Sequence, residues 1–186
     1  MKEKTADCIS IVMATTFTTN DARDRLALMR RFLEDAFFAS GATPTLERLE
    51  EFFDAEGTGV ETRSALRAWL SAWAGALSRE SLYSVLRALE SDVSALPVFG
   101  IRAPVRLSEE EVARLGAWVR EYVDSRALID SHADPAAIGG CRLLWQGRER
   151  DFSLGYFVEK HRDEIVEDIG AVFLKVEKSN TVPTRS

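Results

Sequence analysis

The stretch Asp134–Leu154, DPAAIGGCRLLWQGRERDFSL, decides how the second half of the chain folds, because it least resembles what surrounds it. Segments rich in Leu, Ala, Glu and Arg lie to either side, whereas here an Asp-Pro, a Gly-Gly, a short apolar run and an Asp-Phe-Ser follow one another. Asp134 before Pro135 predicts an Asx-type turn, in which the carboxylate accepts a nearby backbone N–H. Gly139 or Gly140 is expected to take a positive φ, or to admit close backbone approach at the start of a strand. Cys141 to Gln146 reads as that strand, and Gly147 as the turn after it. Ser153 suits the N-cap of a final helix, worth ~1 kcal/mol over alanine. Asp151, just ahead of it, suits local backbone binding at the positive end of that helix. With residues 126–133 as a further strand, the stretch predicts a hairpin at 126–152.

The same residue types can carry chemistry, and their spacing argues against it. A phosphate loop needs several glycines with a Lys and a Ser or Thr, and a dinucleotide fingerprint needs three glycines opening a helix. Gly139-Gly140 instead leads into a strand-like run. Asp134 and Asp151 fall at opposite ends of the predicted hairpin, with no His, Ser or Lys spaced to complete an acid–base set. His132, Cys141 and His161, with Asp134, are the one soft-metal set, and no short C-x-x-C or H-x-x-x-H spacing joins them. His161 lies on or beside the apolar stripe of the last helix, where a core histidine is the plainer reading. The expectation is a protein with no catalytic residue, no cofactor and no metal.

Outward from this stretch the chain is helical. Leu26, Met29, Leu33 and Phe37 recur at three- and four-residue steps and share one helical face. After a break at Ser40-Gly41, Thr43-Pro44 predicts an N-cap with proline in the first turn, and Leu46, Leu49, Phe52 and Phe53 form the stripe behind it. Gly57-Thr58-Gly59 is the next stop, with Thr58-x-x-Glu61 as a capping box. Leu66, Trp69, Leu70, Trp73 and Leu77 then share a side, and Ser78 caps a helix turning Leu82, Val85, Leu86, Leu89 and Val93 inward. Residues 97–105, PVFGIRAPV, are short, apolar and bounded by proline, which predicts an edge strand. Ser108-x-x-Glu111 is a second capping box, before a helix with Val112, Leu115, Val119 and Val123 inward. Val158, Ile165, Ile169 and Val172 give the last helix its apolar side.

The fold class expected is therefore mainly α: a helical bundle over residues 1–96, a small α/β domain over 97–178, and a tail over 179–186. Residues 8–17, an apolar run too short to span a bilayer, add a helix or strand to the bundle. Glu3 and Asp7 dilute Lys2 and Lys4, so this run is not read as a signal peptide. The 186 residues carry a net charge of −6 and no basic block, which disfavours nucleic acid and anionic membrane surfaces as partners. The two cysteines, Cys8 and Cys141, suit a reducing compartment, and the expected location is cytoplasmic.

Asp134-Pro135-x-x-Ile138-Gly139-Gly140, an apolar strand, Gly147, then Asp151-x-Ser153-Leu154 before a helix resembles the C-terminal region of the F-type ATP synthase delta subunit. Its mitochondrial counterpart is the oligomycin-sensitivity-conferring protein. Ala103-Pro104-x-x-Leu107-Ser108-Glu109-Glu110 is similar to the strand-to-helix junction before that region, so the likeness covers about residues 96–170. Family members open with a six-helix bundle, against four clear helices between residues 20 and 96 here. The resemblance implies a non-catalytic stator subunit. Its helical domain would bind the N-terminal segments of alpha subunits, and its C-terminal part the b subunits of the peripheral stalk. It would touch the membrane only through the complex, at the inner face. Trp69, Trp73, Trp118 and Trp145 are candidate interface anchors, each equally well placed as core. Two other classes are a helical adaptor for an unrelated helix or peptide, and an enzyme whose site is dispersed in sequence.

Overall fold

The computed structural model describes residues 2–39, 41, 43–73 and 77–180, with side chains described among residues 8–171. In chain order the elements are α1 (Lys2–Thr15), α2 (Thr19–Glu34), a π-helical turn (Asp35–Ala39), α3 (Leu46–Glu56), α4 (Val60–Trp73) and α5 (Leu82–Ser94). There follow β1 (Val98–Ala103), α6 (Glu109–Tyr122), β2 (Leu128–Ala133), β3 (Arg142–Trp145), β4 (Arg148–Asp151), α7 (Leu154–Lys160) and α8 (Arg162–Asn180). The fold is mostly helical with a small four-stranded mixed sheet. Of the expected tail, residues 181–186 lie outside the described residues, and α8 runs to Asn180.

Two compact units emerge, Met1–Gly100 with Leu107–Ser131, and Ile101–Arg106 with His132–Ser186. The division expected at residue 96 left α6 with the later part of the chain. It sits instead with the helices, because Arg120 of α6 donates to the main-chain carbonyls of Met13 and Thr16. Within this unit the apolar stripes meet as the periodicity requires. Leu26, Met29 and Leu33 of α2, Leu66, Trp69 and Trp73 of α4, and Leu82, Leu86 and Leu89 of α5 form one core with Leu49 and Phe53 of α3. Full burial of a Leu or Phe side chain is worth about 1.5–3 kcal/mol, so this shared core sets the unit's stability. Leu46 is the exception on α3 and is exposed.

Helix starts follow local chemistry, with two shifts. Thr45, not Thr43, is the N-cap of α3, its hydroxyl accepting the Arg48 N–H. The proline thus precedes the cap and fixes the approach rather than the first turn. α4 begins at Val60, so Thr58 contributes through its backbone: its N–H donates to Phe53 O, and its carbonyl accepts Arg63 Nε. Ser78 accepts the Ser81 N–H and closes a turn, and the regular helix α5 starts at Leu82. Ser108 and Glu111 form the capping box of α6 as the spacing predicts.

The sheet runs in the order β2-β1-β3-β4. β1 is therefore an inner strand, not the expected edge. Pro97 and Pro104 lie just outside Val98–Ala103, so neither removes a ladder donor from the strand itself. With β1 between β2 and β3, the hairpin expected over 126–152 narrows to β3 and β4. Arg142 faces Asp151 and Trp145 faces Arg148 in antiparallel register. Gln146 (φ 49°) and Gly147 (φ 74°) form the two-residue loop, the paired positive φ values of a type I′ turn.

Candidate functional site

Every residue singled out between Asp134 and Ser153 has a defined place in the second unit. Asp134 Oδ1 accepts the Ala136 N–H at 3.2 Å, which is the predicted Asx turn, and its own N–H donates to Ala103 O at 2.7 Å. Its other carboxylate oxygen pairs with Arg142 on β3, whose guanidinium also lies 3.7 Å from Glu149. Pro135 and Ile138 stand exposed, Ile138 at 80%. Gly140 combines both roles foreseen for the glycine pair: its φ is 73°, and a Cβ there would run into the Phe152 carbonyl. The flanking bonds, Phe152 N–H to Cys141 O (2.8 Å) and Leu154 N–H to Gly139 O (3.0 Å), explain why the chains approach so closely.

Asp151 and Ser153 form the entry to α7. Asp151 Oδ1 accepts the Ser153 N–H at 2.7 Å, and Ser153 Oγ accepts the Tyr156 N–H at 3.2 Å. The Ser153 hydroxyl and N–H, with Arg142 nearby, hold the Asp151 carboxyl below its ordinary value. Asp134 and Asp151 thus share Arg142 as a neighbouring cation. For Asp151 that lowered value is the opposite of the raised one an acid catalyst needs.

The soft-metal candidates take separate places. His161 ends α7, half-buried, with Nδ1 3.0 Å from Glu164 and its ring 4.7 Å from Phe157, so it is a helix-end residue and not a core histidine. His132 lies on β2 and Cys141 just before β3. Among the described residues, no group of three or more His, Cys, Asp or Glu gathers as metal ligands.

The first unit holds a cleft of about 1060 Å³ between the α1–α2 link and the starts of α4 and α6. Phe17, Val60, Leu107 and Val112 supply apolar lining, and Glu61 and Glu110 supply carboxylates. Arg25 lines it too, and its guanidinium is committed to Thr15 O (2.5 Å) and Thr16 Oγ1 (3.3 Å).

The four tryptophans divide. Trp69 and Trp73 are wholly buried, with rings 5.2 Å apart, and Trp145 is half-buried. Trp118 alone is exposed, its ring tilted against that of Tyr122 at 5.6 Å. In the second unit exposed apolar side chains cluster along the last two helices: Phe152, Leu154, Tyr156, Phe157 and Val158 around α7, then Val166 and Ile169 on α8. Val158 and Ile169 belong to the apolar side expected of the last helix, and Val172 of that stripe lies outside the described side chains. No protein-family model and no curated protein matches the chain.

Sequence reasoning passed over two exposed aromatic features. Phe38 stacks on Tyr83 at 5.7 Å, with Arg79 5.3 Å from the Phe38 ring centre. Phe152 and Phe157 read as part of a cap and a helix. Phe152 precedes the Ser153 cap and Phe157 lies within α7, and only the fold reveals that both are left uncovered.

Proposed function

We propose that this protein is a non-catalytic stator subunit of an F-type ATP synthase, of the delta kind. It would link the N-terminal segments of alpha subunits in the catalytic head to the b subunits of the peripheral stalk. It would act in the cytoplasm, at the inner face of the membrane, without a cofactor of its own.

One observation carries this reading: the order Asp134-Pro135, Ile138-Gly139-Gly140, Gly147, Asp151-x-Ser153, in which Asp134, Gly140, Gly147, Asp151 and Ser153 each have a backbone task. Asp134 builds a turn, Gly140 admits a carbonyl, Gly147 reverses a hairpin, and Ser153 caps a helix. The backbone tasks of these residues support a structural reading of the string over a catalytic one. The uncovered apolar side chains of α7 and α8 support the same reading, since a joint needs surface for partner helices. No helix among the described residues is long and apolar enough to cross a membrane, which suits a part that reaches the membrane through others.

The test is capture of the tagged protein from native membranes under mild conditions. Recovery of alpha, beta and b subunits is expected, and recovery of none of them would end the proposal. Adding the protein to stripped membranes should restore coupled ATP synthesis.

A further inference from the structure

The link between α1 and α2, Thr15-Thr16-Phe17-Thr18-Thr19, is gripped from four elements at once. Trp69 of α4 donates its indole N–H to Thr15 Oγ1 at 2.7 Å. Arg25 of α2 donates to Thr15 O and Thr16 Oγ1. Arg120 of α6 donates to Met13 O and Thr16 O, each at 2.5 Å, and to Ala127 O at 3.1 Å. From β2, the Ile129 N–H donates to Phe17 O at 2.8 Å, and Thr18 and Ile129 form a one-residue parallel bridge.

Two features show that α6 is shaped to this link. Gly116 leaves room for the Phe17 ring, since a Cβ on it would stand 2.5 Å from Phe17 Cδ1. The Arg120 guanidinium carbon lies 4.7 Å from the centre of the same ring. Burial pushes the Arg120 guanidinium below its ordinary value. Three carbonyls offset that desolvation, and those of Met13 and Thr16 belong to the end of α1, where a helix lacks internal donors. The partners are 107 and 104 residues apart in the chain.

We propose that residues 15–19 are a clasp that makes α6 and the start of β2 one cooperative unit with the helical bundle, so that neither opens without the other. A helix joined to a bundle only through distant chain would ordinarily open by a separate, cheaper fluctuation. The clasp removes that route by fastening α6 to the α1–α2 link through the Phe17 ring and the Arg120 guanidinium, and the start of β2 through Ile129. The inference concerns the mechanics of the first unit and holds whatever the partners are.

Native-state hydrogen exchange on the full chain tests it. In the unaltered protein, the slowest amides of α6 and Ile129 should be protected as strongly as those of α5. Phe17→Ala or Arg120→Leu should speed exchange in α6 by at least ~10-fold relative to α5, because the two then open separately. Arg126→Ala, on the surface beside the clasp, should leave the ratio unchanged. The proposal is overturned if α6 already exchanges much faster than α5 in the unaltered protein. It is equally overturned if the clasp variants speed both alike. Should Phe17→Ala fail to fold, Phe17→Leu reads the same ratio.

Discussion

Asp134 and Arg142 are joined by an ion pair that fastens the Asp-Pro turn to the first residue of β3. Both side chains are partly exposed, so solvent screens the pair, and charge alone is worth about 1 kcal/mol or less. Asp134 also accepts the Ala136 N–H, and that bond is lost in Asp134→Ala. The variant should lose about 1–2 kcal/mol in urea unfolding, and Arg142→Leu about 1 kcal/mol, with losses less than additive in the double variant. Additive losses would show that the two residues act apart.

Gly140 and Gly147 separate conformational strain from collision. Both have positive φ, but a Cβ on Gly147 meets nothing within 4 Å, whereas one on Gly140 meets the Phe152 backbone. Gly147→Ala should cost about 1–2 kcal/mol, the penalty of a left-handed alanine. Gly140→Ala should cost about 3 kcal/mol or more, because backbone must move as well. Thermal unfolding of the two variants side by side checks the order.

The difference between what was and was not legible in the sequence follows the range of each interaction. Ser108 with Glu111, Asp134 with Ala136, and Ser153 with Tyr156 are bonds over two or three residues, and side-chain type and spacing suffice to find them. The cap lies at Thr45 and not Thr43 because two threonines, either able to cap, flank Pro44. β1 was misplaced at an edge because its prolines flank the strand without saying what pairs beside it. The placement of α6 depends on Arg120 reaching Met13 across most of the chain, and no local pattern encodes that. The apolar side of α7 and α8 was legible as a stripe. Its exposure was not, because periodicity shows that a face exists and not what covers it.

Acid should weaken the second unit through Asp151. Its folded carboxyl lies below the ordinary 3.8, chiefly because Ser153 donates to it through hydroxyl and N–H. A lowered folded value stabilises at pH above the unfolded value, and that contribution is lost as pH falls through the folded one. Glu111 behaves alike below its ordinary 4.5, held down by the Ser108 N–H and then its hydroxyl. The urea midpoint should therefore fall on acidification from roughly pH 5 to pH 3, and Asp151→Asn should flatten that fall. A midpoint that rises over this range would contradict the assignment.

Trp73 and Trp118 should respond in opposite ways to truncation. Trp73 is fully buried against Trp69, so Trp73→Ala should cost about 3–5 kcal/mol. Trp118 is half exposed beside Tyr122, so Trp118→Ala should stay within about 0.5 kcal/mol of the unaltered protein. Differential scanning calorimetry on each variant gives the comparison directly. Any loss of partner capture by Trp118→Ala would then be a loss of interface and not of fold.

The exposed aromatic side chains of α7 offer the sharpest separation between stability and assembly. Phe157 is 55% exposed and packs its ring on His161, while Val166 and Ile169 stand open on α8. Phe157→Asp removes apolar surface already in contact with water, so unfolding should shift by no more than about 1 kcal/mol. On the stator reading, the same change places a carboxylate where a partner helix would bury an apolar side chain, and an unpaired charge there is costly. Capture of b subunits should fall by at least ~10-fold, while capture of alpha through the helical bundle should persist. Equal loss of both would mean that the variant had damaged the fold, and circular dichroism on the same sample would reveal it. Unchanged capture of b would remove this face from the joint.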